Sequence, residues 1–95
     1  MSRDAATKAH FDRLVSVGCV LCRHLSLGKT PAEIHHPKEW TGAAQRADEW
    51  LGLPLCEFHH RGAGGIHGLG KRGFYARYKL MEHDLLAMAL RAAYS

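Results

Sequence analysis

The segment "LPLCEFHHRGAGGIHGLGKR", residues 53–72, sets Cys56, His59, His60 and His67 within twelve positions and carries five glycines between and beyond them. Thiolate and imidazole are the donors that zinc prefers, and sequences deliver them as two close pairs separated by a longer stretch. Cys19-x-x-Cys22 is one such pair and Cys56-x-x-His59 is the other. Each spacing lets a tight turn aim two donors at one point, and residues 23–55 are long enough to form a hairpin that brings the pairs together. The expectation is a structural zinc held by Cys19, Cys22, Cys56 and His59, which would staple a chain too short for a large core. Exchanging His24 or His60 for His59 gives another ligand set with the same role. The plainer alternative, three buried thiols without a metal, does not account for the paired spacing.

Four histidines near these pairs remain: His35, His36, His60 and His67. Successive side chains of a strand point to opposite faces, so His35 and His36 of "AEIHH" are not expected to bind one ion. If His35, His60 and His67 converge, three neutral imidazoles leave coordination positions open, which distinguishes a catalytic metal site from a structural one. His36 would then act as the general base, an imidazole able to take a proton from water attacking a phosphodiester. Arg61, Lys71 and Arg72 flank the glycine-rich stretch and are expected to hold the scissile or neighbouring phosphates. Taken singly, each basic residue reads as a solvated charge and each histidine as a hydrogen-bonded structural side chain. Their clustering is what points to chemistry.

Several elements must position these groups. "DAATKAHFDRLVSV", residues 4–17, places His10, Phe11, Leu14 and Val15 on one helical face, with Asp4 as N-cap and Gly18 past the end. "CVLC" reads as a tight knuckle, followed by the turn-rich "RHLSLGKTP". "AEIHH", between Pro31 and Pro37, reads as one hairpin strand and "LGLPLC" as its return, with the polar residues 38–50 as a loop holding a helical turn. The glycines of "RGAGGIHGLG" imply either a flexible loop or a backbone held close to something. Two further helices follow, one with Phe74 and Tyr78 spaced i, i+4, the other with Leu86, Ala89, Leu90 and Ala93 as its core stripe.

The 95 residues read as one domain, 1–95, with 46% hydrophobic and 23% charged residues, as in a soluble globular protein. No long apolar run or signal-peptide pattern opens the chain, which excludes membrane and secretory readings. Three cysteines, two of them in CxxC, favour metal ligation in a reducing cytoplasm over a disulfide framework. A net charge of +4 suits a polyanionic partner, with nucleic acid first among them. Eight histidines against thirteen Lys and Arg point to metal binding or proton transfer rather than packing.

The order CxxC, a strand ending in His-His, and a strand running into L-C-x-x-H-H and a helix resembles the HNH endonuclease superfamily. More narrowly, "IHH" with "LPLCEFHHRGAGGIHGLGKR" resembles the phage recombination-enhancement nuclease (Ref) family. The resemblance covers residues 19 to about 80. It implies an α+β fold with a zinc-stapled, treble-clef-like ββα-metal core flanked by N- and C-terminal helices. It also implies DNA cleavage, a RecA filament as partner, and a phage-encoded protein working in a bacterial cytoplasm. Carried over by position, His36 is the general base and His35, His60 and His67 are the catalytic-metal ligands. The HNH pattern usually has asparagine at its middle position, and this chain has none. A backbone carbonyl, Gln45 or Asp48 would then orient His36. The expected activity is metal-dependent hydrolysis of DNA phosphodiesters, with structural Zn²⁺ and catalytic Mg²⁺ or Mn²⁺, Zn²⁺ or Ni²⁺ also suiting three imidazoles. The competing expectation is a non-catalytic zinc module that binds DNA or a recombination protein. Metal stoichiometry separates the two.

Overall fold

A computed structural model describes residues 4–37 and 49–95. The first helix, α1 (Ala5–Val17), starts where the Asp4 carboxylate accepts the Thr7 N–H at 2.8 Å, and ends at Gly18. Gly18 has a φ of +79°, and its N–H donates to the Val15 carbonyl. The chain turns there directly into the knuckle. The Cys19 N–H donates to the Thr30 carbonyl at 2.8 Å, and the Cys19 sulfur caps a short second helix, α2 (Val20–His24), by accepting the Cys22 N–H. "CVLC" is therefore the start of a helical turn, with its first cysteine as the cap.

Strands β1 (Glu33–His35) and β2 (Leu53–Leu55) pair antiparallel, Glu33 opposite Leu55, Ile34 opposite Pro54 and His35 opposite Leu53. A 3-10 turn at Glu49–Leu51 leads into β2. Residues 38–48, which include Gln45 and Asp48, lie outside the described residues. Beyond β2 come α3 (Glu57–His60), α4 (Ile66–Tyr78), which kinks at Gly70, and α5 (Glu82–Tyr94). The result is a small mixed α+β unit built on a two-stranded sheet, and no helix among its described residues is long and apolar enough to cross a membrane.

The core gathers Phe11 and Leu14 from α1, Val20 and Leu21 from α2, Leu53 and Leu55 from β2, Phe74 from α4, and Leu85 and Ala89 from α5, together with all three cysteines. Two side chains of the expected stripes fall outside it. Val15 is 47% exposed, whereas Thr7, His10 and Val17 of the same helix are buried. In α5 the stripe is centred on Leu85 and Ala89, and Leu90 is exposed. An apolar arc is wider than the strip a neighbour covers, so periodicity finds the face and the packing partner chooses its centre.

His10 has both ring nitrogens engaged within the protein. It is buried and stacked on the Trp50 ring, with Nε2 donating to the Trp50 carbonyl at 3.0 Å and Nδ1 accepting from the Tyr94 hydroxyl at 2.5 Å. One imidazole thereby ties α1 to the 3-10 turn and to the end of α5.

Candidate metal centres

The Cys19, Cys22, Cys56 and His59 side chains meet in the core, all four buried, with donor atoms within 4.8 Å of one another. The knuckle brings the first pair. The second pair sits on α3, where Cys56 is the N-cap and His59 lies one helical turn later. His59 Nδ1 lies 3.7 Å from Cys19 Sγ, 3.4 Å from Cys22 Sγ and 3.3 Å from Cys56 Sγ, and the Cys22 and Cys56 sulfurs are 3.8 Å apart. A tetrahedron with Zn–S of about 2.3 Å and Zn–N of about 2.0–2.1 Å has S–S edges of about 3.8 Å and S–N edges of about 3.5 Å. The donors are spaced as zinc requires.

Electrostatics agree with the geometry. Burial pushes the Cys19 thiol up to about 12, against N–H donors from Cys22 and Cys56 that pull it down, so a thiolate here needs a cation beside it. Burial, followed by the Arg77 charge, holds His59 below its usual range and so keeps it in the neutral, metal-ligating form. Tyr78 of α4 packs edge-on to the His59 ring at 5.7 Å and donates its hydroxyl to the Gly64 carbonyl at 2.8 Å. It fixes both the ligand and the loop that leaves it.

A second group forms on the other side of α3. His35, His60 and His67 offer nitrogens within 4.8 Å of one another, and their ring centroids are 5.0 Å (His35 to His60), 5.3 Å (His35 to His67) and 4.8 Å (His60 to His67) apart. His35 is buried, His60 is half-buried and His67 is exposed, so this group opens to solvent where the first is closed. Three imidazoles with an open side match a metal site that keeps exchangeable positions. His59 and His60, adjacent in sequence, belong to different groups. His24 is exposed at the end of α2 and belongs to neither.

The glycines permit the convergence. A Cβ on Gly68 would lie 2.2 Å from the Gly62 carbonyl oxygen, so only glycine lets the start of α4 pass against the turn after α3. The glycine-rich stretch is thus a backbone held close, carrying His67 back to His60.

Two carboxylates that the sequence reading did not single out complete this site. Glu33 Oε2 lies 2.6 Å from His60 Nδ1 and also accepts from Arg61 Nε at 2.8 Å, while Glu33 Oε1 accepts from Arg61 Nη2 at 3.0 Å. Those contacts, the Arg61 bond first and the His60 bond second, hold Glu33 below the usual carboxylate range. Glu82 Oε2 lies 2.5 Å from His35 Nε2. Glu33 had a signal in the sequence, since it is two residues before His35 and shares its strand face. Glu82 had none, being supplied by a helix far along the chain.

The remaining expected residues are distributed around the group. His36 is exposed at the end of β1, its ring centroid 6.1 Å from that of Phe11, and it is not one of the three converging rings. Arg61 is engaged by Glu33 and by Glu57 at 3.2 Å. Lys71 and Arg72 follow the kink at Gly70, are exposed, and line a cavity of about 310 Å³ together with Phe74, Tyr75 and Glu82.

No curated protein matches this chain. A family profile does: the sequence profile described as "Recombination enhancement, RecA-dependent nuclease" matches residues 4–93, nearly the whole chain. By that match the chain belongs to the recombination-enhancement, RecA-dependent nuclease family.

Proposed function

We propose that this protein is a metal-dependent DNA endonuclease of the HNH type, hydrolysing phosphodiester bonds during RecA-linked recombination of a phage in its bacterial host. The observation that carries the reading is the pair of donor groups divided at the His59–His60 peptide bond, one closed and buried, the other open. A buried Cys3His set has the chemistry of a structural Zn²⁺ site. The open three-histidine set has that of a catalytic Mg²⁺ or Mn²⁺ site, and Zn²⁺ or Ni²⁺ would also suit it. Membership of the nuclease family supports the activity, the DNA substrate and the RecA partner. The two-stranded sheet followed by α3 and α4 is consistent with a ββα-metal core.

In this reading His35, His60 and His67 would hold the ion, and the chemistry it would supply is Lewis-acid stabilisation of charge developing on the phosphodiester oxygens. His36, next along the strand, accepts a proton from the attacking water. The water oxygen bonds to phosphorus, the P–O3′ bond breaks, and the leaving oxygen takes up a proton from solvent. Lys71 and Arg72 bind neighbouring phosphates of the strand. Arg61 contributes through its charge and holds Glu33 against His60.

The test is relaxation or linearisation of a supercoiled plasmid by the zinc-loaded protein with Mg²⁺ or Mn²⁺, in the presence and absence of RecA and single-stranded DNA. Wild type is expected to cut and His36→Ala to lose most of the rate, general-base removal costing about 10²–10⁴-fold. No cleavage under any of these conditions, with one ion per chain, would sink the reading in favour of a zinc-stapled binding module.

A further inference from the structure

We infer that Glu82, in the first turn of α5, is a positioning residue for the three-histidine site, holding His35 by Nε2 and leaving Nδ1 as the nitrogen that would bind an ion. The inference rests on the reading of His35, His60 and His67 as a metal site. His35 is 4% exposed and its Nε2 lies 2.5 Å from Glu82 Oε2. With the Glu82 oxygen as acceptor, the bonded nitrogen is the donor Nε2–H, which leaves Nδ1 as the nitrogen able to bind an ion. A ligand imidazole whose second nitrogen donates to a carboxylate is locked in tautomer and orientation and becomes more basic.

The carboxylate is itself held. The Met81 N–H donates to the Asp84 carboxylate at 2.8 Å, closing the first turn of α5, and Leu85, one residue further, is fully buried in the core. Glu82 therefore arrives on a rigid helix end, with its side chain only 12% exposed. It reaches His35 from the helix that follows α4, outside the strands and the α3–α4 segment that supply the three imidazoles. Through this contact α5 reaches the site.

The experiment uses the full zinc-loaded chain and Mn²⁺ as probe, with free Mn²⁺ followed by electron paramagnetic resonance. Wild type, Glu82→Gln and His67→Ala are compared, and thermal unfolding of each confirms that all three are folded. Glu82→Gln is expected to weaken Mn²⁺ binding by about 10–100-fold. In the ion-free state, ¹⁵N shifts of His35 are expected to show the Nε2–H tautomer in wild type and a mixture in Glu82→Gln. A purely packing role for Glu82 would leave those shifts unchanged. If His67→Ala loses Mn²⁺ while Glu82→Gln binds as wild type with the same tautomer, the role of Glu82 is overturned and the metal site stands. If His67→Ala binds Mn²⁺ as tightly as wild type, the metal reading of the three histidines falls and takes this inference with it.

Discussion

Removal of the ion from the Cys3His group should unfold the protein. A domain of 95 residues has a net stability of about 5–14 kcal/mol, at roughly 0.05–0.15 kcal/mol per residue. Structural zinc contributes about 10–16 kcal/mol of apparent binding energy in small metal-folded domains at neutral pH. The zinc range begins in the upper part of the stability range and runs past its top, so an ion held here would supply most or all of the margin by which this chain is folded. Its loss also leaves three thiols in the middle of the core, between α2, β2 and α3, where they make up three of its twelve buried residues. Cys56→Ser is the targeted perturbation, because the Cys56 sulfur lies 3.3 Å from His59 Nδ1 and Cys56 stands immediately before α3, which carries His59 and His60. The assay is circular dichroism on heating, with metal content measured on the same samples, for wild type, chelator-treated wild type and Cys56→Ser. Metal-free samples are expected to show no cooperative transition at neutral pH. Because burial pushes the Cys19 thiol up to about 12, loading must expel thiol protons, so zinc affinity should fall as pH is lowered, and titration in buffers of different ionisation enthalpy should register the release. A chelated protein shown to be metal-free that melts cooperatively within a few degrees of the loaded form would refute the reasoning.

Tyr94→Phe removes the hydroxyl that donates to buried His10 Nδ1, and should cost about 1–3 kcal/mol in denaturant unfolding, since Nε2 is already committed to the Trp50 carbonyl. Asp4→Ala should lower the melting temperature at neutral pH. The Thr7 hydrogen bonds lower the Asp4 pKa on folding, so the stabilisation is complete above the unfolded carboxylate pKa and is lost as pH falls through the folded one. Melting curves of the two proteins should therefore converge in acid, and a gap that persists unchanged at low pH would contradict the capping account. Gly68→Ala places a Cβ against the Gly62 carbonyl and should reduce Mn²⁺ binding at the three histidines while one zinc per chain is retained, as measured by metal analysis; retention of both ions at wild-type affinity would show that the close approach is dispensable.

What the sequence disclosed here was local chemistry. Ligand pairs at fixed spacing, the Asp4 cap and the alternation of His35 and His36 depend on residues a few positions apart, and each has its counterpart in the fold. The partition of His59 from His60 was also legible, because α3 sends neighbouring side chains in different directions. The partners of those ligands were less so. Glu82 contacts His35 only because α5 packs onto the core through Leu85 and Ala89, which no local pattern encodes. Arg61, read from sequence as a phosphate contact, is bound to two glutamates, one of them across from β1. His10, counted among an excess of histidines that suggested metal chemistry, is a buried structural joint.

The single peptide bond between His59 and His60 leaves the two groups no slack. An α-helix turns about 100° per residue at 3.6 residues per turn, so one residue inserted at that bond would swing the His60 ring away from Glu33, His35 and His67 together. Nothing but one peptide bond separates the ligand of the buried corner from that of the open one. The two sites cannot drift apart by gradual substitution of a linker, because there is none, and changes tolerated at either must leave the pitch of α3 as it is.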